Sequence, residues 1–323
     1  MSHADLVLGV YYEHPTWFAP LFAELETRGV PYRALRPEEV TFDPGRRPEG
    51  LGLLLNRMSA SSFLRGDARR LQFTLHYLEH LEWHGVPVVN GSEAYRTEVS
   101  KARQLELFRR CGLAHPETRV VNRPEAVPEA AGSLPFPVIV KPNVGGAGAG
   151  VARYDTLEAV ENAVARGNVE PGVDGTLLIQ EYIPPKDGRI TRVEVLGDGF
   201  LYAIRVPVGE SDFNLCPAEI CAVDENDGRS GGNEPVEACT PPDGVIRSVL
   251  QVAKAAGVEV GGMEYVEDAR DGRLHFYDIN ALSNFVANAE AVVGFDPWAH
   301  LVDWLTARLQ ERETPWPAAA DPV

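Results

Sequence analysis

Residues 138–150 read VIVKPNVGGAGAG: an apolar run that ends in Lys141 and Pro142, followed by glycine at 145, 146, 148 and 150. Glycine costs backbone entropy on folding, so four in six residues need a reason. A buried strand fits the run Val138–Val140. A loop whose backbone N–H groups can converge on an anion fits the glycines, and the lysine at the strand end adds a point charge. The stretch is neither a Walker loop nor a GxGxxG fingerprint, because no Lys-Ser/Thr follows and the next residues read as strand. A phosphate cradle and a plain hairpin loop are the two readings open at this point.

The remaining punctuation divides the chain. Leu6–Tyr11, Val30–Leu35, Gly50–Leu55 and Val86–Val89 read as strands. Helices at Pro15–Arg28 and Arg69–His84, closed by Gly29 and Gly85, separate them. This order predicts a small α/β domain with a mainly parallel sheet. A helix is expected from about Val99 to Arg110, and a surface connection over Asn122–Leu134. Further strands are expected at Leu177–Gln180, Arg192–Leu196, Leu201–Val206, Gly262–Val266 and Leu274–Ile279. A helix fits Val245–Ala256, Glu210–Gly244 reads as a long polar loop, and the last helix repeats Trp298, Leu301, Val302, Leu305 and Leu309 at helical spacing.

The chain has 323 residues and a formal charge of −17, which argues against non-specific nucleic-acid binding. No apolar run approaches the roughly 20 residues that span a bilayer. The N-terminus lacks the layout of a secretory signal, and four cysteines without CxxC spacing point to a reduced, cytoplasmic setting.

Two further constellations carry chemistry. In HFYDIN, Asp278 and Asn280 stand two apart on a strand and so share a face, and Glu264 lies on the neighbouring strand in GGMEYV. Two carboxylates and an amide oxygen suit Mg²⁺, a hard cation, with Mn²⁺ as a second possibility. In IQEYIPP, an apolar strand turns polar and breaks at Pro184-Pro185.

Together with Lys101 in SKARQLELF and the stretch RVEVLGDGFLYAIR, these motifs follow the order of the ATP-grasp superfamily. VVNGSEA, IVKPNVGGAGAGV and FNL resemble the RimK-like carboxylate–amine ligases within it. The resemblance implies an α/β fold of α+β subdomains: a pre-ATP-grasp domain over 1–92, a central lid over 93–180, a C-terminal part with the metal site over 181–311, and a tail over 312–323. It implies ATP held by Lys101, Lys141, Gly145, Gly146, Gly148, Gly150 and a hinge of Gln180, Glu181, Tyr182 and Ile183. Asp187 would replace the ribose carboxylate that Ile190 cannot supply. Glu264, Asp278 and Asn280 would hold Mg²⁺, and Arg205 and Arg192 would serve the γ-phosphate and the acyl group. The expected reaction is amide formation through an acyl phosphate, with an amino acid, peptide or protein-attached group as substrate and a homo-oligomer as a possible assembly. Phosphoryl transfer to a hydroxyl and a silent nucleotide-binding module are the alternatives.

Substrate candidates come from position. Asn56 and Arg57 follow the third strand, where α/β domains meet ligands. Ser283 and Asn284 lie just past the metal strand, and Asn214 and Cys216 follow the arginine strand. Cys216 and Cys221 lack nearby histidines or further cysteines as a zinc pair, which favours a structural or incidental role. His76, His80 and His84 repeat along one helix face as a surface or substrate-facing row. The metal set departs from the usual Asp, Glu, Asn. The NLCPAE segment also lacks the arginine of the basic NLHRGG found in similar ligases, which puts glutamate as a substrate in doubt.

Overall fold

A computed structural model describes residues 6–14, 16–66, 68–146, 148–208 and 235–311. Strands β1 (Val7–Tyr12), β2 (Tyr32–Leu35), β3 (Leu51–Arg57) and β4 (Val88–Val89) form a parallel sheet in the order β2-β1-β3-β4. Helices α1 (Ala19–Thr27) and α2 (Arg69–Trp83) connect them, as the sequence pattern predicts. Every residue of β3 is buried, the signature of a parallel strand covered on both faces. Asn56 and Arg57 belong to this strand instead of following it. The chain leaves β1 toward β2 and returns on the other side to β3, so the carboxyl ends of β1 and β3 flank a switch point, where ligands of open α/β sheets settle.

The helix expected from about Val99 to Arg110 begins at Lys101 as α4 (Lys101–Arg110), and a separate helix, α3 (Ser92–Glu98), precedes it. Ser100 interrupts them in extended backbone, and its side chain accepts from the Arg103 N–H. Such an N-cap satisfies a donor that helix continuation would otherwise use, and it places Lys101 in the first turn. A second sheet follows: β5 (Thr118–Val121), β6 (Val138–Pro142), β7 (Ala152–Tyr154) and β8 (Leu177–Glu181), antiparallel in the order β5-β8-β6-β7. The connection expected on the surface over Asn122–Leu134 carries helix α5 (Val127–Gly132). Its Val127, Ala131 and Leu134 are buried with Val138, Val160 of α6 (Leu157–Ala165) and Ile179. Proline at the start of a helix is compatible with it, which the composition-based reading of that stretch overlooked.

The third sheet is antiparallel in the order β11-β10-β9-β12-β13, from β9 (Arg189–Leu196), β10 (Gly199–Pro207), β11 (Glu237–Cys239), β12 (Val260–Glu267) and β13 (Leu274–Asn280). Helix α7 (Asp243–Ala256) ends at Gly257 in the left-handed region (φ 69°), the geometry glycine supplies at a C-cap. Leu105 and Phe108 of α4 join Val193, Val252 and Phe276 in a core on one face of this sheet. On the other face, Ile204 and Val206 join α1, α8 (Ala289–Val293) and α9 (Pro297–Gln310), with Leu301, Val302 and Leu305 inward. Thus α4 is held between the second and third sheets, and residues far apart in sequence meet there. No helix of the described residues is long and apolar enough to cross a membrane.

Candidate active site

The antiparallel register sets Glu264 opposite Asp278 and Gly262 opposite Asn280. The Asn280 amide lies 3.3 Å from Glu264 Oε1 and 3.4 Å from Asp278 Oδ2, so the three expected metal ligands form one cluster. Tyr277 donates to Glu264 Oε2 at 2.8 Å. From α4, Lys101 Nζ donates to Asp278 Oδ1 at 2.6 Å. Burial pushes the Asp278 carboxyl up, but the adjacent ammonium outweighs it and holds the group below its ordinary value. Burial likewise pulls Lys101 down, and Asp278 outweighs it to leave the lysine raised. Glu264 is raised by burial against the opposing pull of Arg192.

Arg192 sits beside this cluster, buried, because β9 pairs with β12 and puts it opposite Glu264. It donates to Glu194 at 2.6 Å, to Glu264 at 3.0 Å and to Ser283 Oγ at 3.2 Å. These two ion pairs hold its charge where burial alone would disfavour it. Arg205 is elsewhere. It pairs with Thr191 on β9, and Thr191 pairs with Tyr265, so strand alternation puts Arg205 on the face opposite Arg192. No contact joins it to the Lys101–Asp278–Glu264 cluster among the described residues.

Lys141, at the end of β6, is buried and donates to Gln180 Oε1 at 2.9 Å, while Gln180 donates to Thr118 Oγ1 at 3.0 Å. Among the described residues it makes no ion pair. Burial and the nearby Lys101 lower its ammonium to about 7. The glycine loop is anchored by Asn143, whose Oδ1 accepts from the Ala102 N–H at 2.9 Å and whose Nδ2 donates to Asp174 at 2.6 Å. Asn143 therefore ties the loop to the first turn of α4. Gly148 and Gly150 have φ of 72° and 71°, which side chains rarely adopt. A Cβ at Gly146 would meet Ser61 at 2.8 Å, so the loop lies directly on the turn that follows β3. Gly145 abuts the Lys101 side chain.

The hinge residues lie at the end of β8. Glu181 exchanges bonds with Glu117, its Oε1 accepting from the Glu117 N–H at 3.0 Å. Tyr182 stacks under the Arg153 guanidinium at 4.4 Å, and Ile183 is buried in the core. Ile190 is also core, while Asp187 is exposed in a left-handed turn (φ 55°). Asn56 donates to Asn90 O at 2.9 Å, and Arg57 reaches the Ser283 main-chain oxygen. Asn284 is half-buried. Asn214, Cys216 and Cys221 lie outside the described residues. The histidine row is partly packing: His80 stacks on Phe42 at 4.5 Å.

Several residues of this region carried no expectation. Glu98 is half-buried at the end of β13 and accepts from the Ala281 N–H at 2.6 Å. Burial and the nearby Asp278 raise its carboxyl to about 7. Gln104 grips both the N–H and the C=O of Ile279, and Asn90 joins the first sheet to Glu259 and Val260. A polar side chain such as Gln104, on the apolar face of a helix beside Leu105 and Phe108, is a signal for such roles; Asn143 beside the glycines is another.

Two carboxylates and an amide oxygen in one cluster fit a hard cation. Among the described residues no group of three or more His, Cys, Asp or Glu side chains could hold a metal. A cation here would therefore complete its shell with oxygens of a bound molecule, such as phosphates. The uncompensated Lys141 and the glycine loop fit an anion on the same side.

Residues 99–217 match the family model of the RimK-like ATP-grasp domain. The chain is 29% identical over 225 residues to a probable alpha-L-glutamate ligase of Marinobacter nauticus, covering 69% of this chain and 66% of that protein. It is 26% identical over 264 residues to the ribosomal protein bS6--L-glutamate ligase of Shigella boydii, covering 81% and 78%. The matched stretch thus spans a little under two thirds of the Marinobacter protein. The ATP-grasp ligase PsnB, solved with a minimal precursor, superposes with a TM-score of 0.67 at 22% identity, covering 94% of this chain and 100% of that one. D-cycloserine synthetase DcsG superposes at 0.68 and 17% identity, covering 94% and 99%.

Proposed function

We propose that this chain, whose residues 99–217 match the RimK-like ATP-grasp domain and whose fold is that of ATP-grasp ligases, is an ATP-dependent ligase joining a carboxylate to an amine. The carrying observation is convergence: Lys101 from α4, Lys141 from β6, Glu264 from β12 and Asp278 with Asn280 from β13 surround one locus. PsnB has been solved with Mg and ADP, and the cofactors proposed here are ATP and Mg²⁺. The division expected from the sequence, 1–92, 93–180 and 181–311, is retained as a proposal, with α4 bridging the last two units.

A carboxylate is a weak electrophile, and its activation brings two anions together as its oxygen attacks the γ-phosphoryl group of ATP to form an acyl phosphate, with ADP leaving. Glu264, Asp278 and Asn280 would hold Mg²⁺, whose positive charge would offset this repulsion. Lys101 is held on Asp278 and can turn toward a phosphate once that carboxylate is shared with a cation. Lys141 regains its full charge when a phosphate approaches, since burial without a counter-ion is what lowers it. The loop at 145–150 offers backbone N–H groups and covers the locus, which excludes water from an intermediate that it would hydrolyse. Arg192, fixed by Glu194, stands on the far side of Glu264 and is placed to steady the acyl oxygen as charge develops there. The amine then displaces phosphate to leave the amide.

The test is ADP formation over a panel of amino acids and dipeptides as acid–amine pairs, glutamate included because relatives are named for it, with Lys141→Ala as the blank. The expected result is ADP only with both partners present. ADP formed equally with one hydroxyl-bearing partner alone would replace the ligase reading with a kinase.

A further inference from the structure

Arg57 ends β3 at the switch point of the first sheet and is 0% exposed. One of its nitrogens donates to the Ser283 main-chain oxygen, and its guanidinium lies 5.2 Å from the Phe18 ring. Its Nε and Nη1 are buried and meet no acceptor among the described residues. Among the described residues it makes no ion pair. Glu194 and Glu98 favour its charge at longer range without pairing with it, and Arg192 already holds Glu194. A guanidinium cannot shed its charge as a lysine can. A buried, unpaired ion with orphaned donors is among the costliest arrangements a fold can keep.

Neighbouring groups share the condition. Ser62, in the turn after β3, and Asn284, next to Ser283, each bury a side-chain oxygen without a partner among the described residues. The glycine loop closes over this turn at Ser61. The route from the metal cluster is short: Glu264 meets Arg192 at 3.0 Å, Arg192 meets Ser283 at 3.2 Å, and Ser283 meets Arg57. The nucleotide phosphates have their own cations in Lys101 and Lys141, on the other side of this chain of contacts.

Building on the ligase reading, we infer that Arg57 is the receptor for a carboxylate that stays unreacted, carried by the amino acid that supplies the amine. Its charge and orphaned donors meet that carboxylate, with Ser62 and Asn284 beside it for the polar groups next to it. The reacting end of the substrate then lies toward Arg192 and Glu264. Arg57 is a specificity residue that touches substrate without taking part in bond exchange.

The experiment compares each amine donor that supports turnover as the free acid and as its carboxamide, with saturating ATP. Charge-assisted hydrogen bonds of this kind predict a free-acid preference of about 10- to 100-fold in kcat/KM, carried mainly in KM. Arg57→Lys and Arg57→Gln should erase most of the preference while leaving the nucleotide Kd unchanged, and that Kd also reports whether each variant is folded. Equal use of acid and amide by the wild-type protein overturns the inference without any variant, as does a preference that survives in a folded Arg57→Gln. If no pair yields ADP, the ligase reading fails on its own. The subsite is then judged by thermal stabilisation of the wild-type protein by free amino acids over their amides in the presence of a non-hydrolysable ATP analogue: a difference lost in Arg57→Gln supports it, and none overturns it.

Discussion

Two buried cations a few residues from the same locus live under opposite electrostatic conditions. On the third sheet, Arg192 is enclosed by Glu194 and Glu264, so its charge is compensated within the folded chain. On the second sheet, the Lys141 side chain has only the neutral Gln180 as a partner among the described residues and is lowered to about 7. The first cation is compensated without ligand, which fixes Arg192 in place beside the proposed acyl site. The second is compensated only when an anion arrives. The contrast separates a cation that the fold holds in place from one that waits for its ligand, which sequence motifs alone treat alike.

The largest effect that would break this comparison comes from Arg192→Ala. It strands two buried carboxylates, and stability should fall by about 3–5 kcal/mol, read from urea unfolding. Lys141→Ala should do the reverse. It removes an uncompensated charge, so the unfolding midpoint should hold or rise, while phosphate release falls by about 10²-fold or more. If Lys141→Ala unfolds as readily as Arg192→Ala, the two cations are not of different kinds.

Protons sharpen the distinction. A lysine lowered to about 7 in the folded protein is mostly neutral at pH 8, and a bound polyanion restores its charge. Nucleotide binding at pH 8 should therefore take up a proton. Affinity should weaken as pH rises through 7 to 8, and Lys141→Met should abolish the component. Calorimetry in two buffers of different ionisation enthalpy measures it. The stability sign follows as well: between about 7 and the ordinary lysine value the unfolded chain binds more protons, so this group's contribution to stability improves as pH rises across that window. The smallest expected effect is that of Asn143→Ala, which unties the glycine loop from α4. It should cost about 1 kcal/mol of stability and raise the nucleotide KM a fewfold with kcat less changed.

Much of the fold was legible because its signals are local. Alternation marked β13 and put Asp278 and Asn280 on one face, and Gly257 ended α7 where a left-handed residue was needed. The parallel sheet followed from strand and helix order. Misreadings arose where local signals mislead. Ser100 looks like one more helical residue until its side chain caps α4, and a proline-rich stretch reads as a surface connection although Val127 and Ala131 are buried in a core.

The amino-acid order by itself determined which chemistry this protein can hold: a lysine before a glycine cradle, and two carboxylates with an amide on neighbouring strands. Periodicity and backbone preference act within a few residues and need no partner from afar. Only the tertiary structure decided which charges are compensated. Lys101 finds Asp278 177 residues away, Arg192 and Arg205 part to opposite faces through strand register, and Arg57 is buried against Ser283 226 positions on. Compensation depends on distance and desolvation in space, and neither is written in the spacing of residues along the chain.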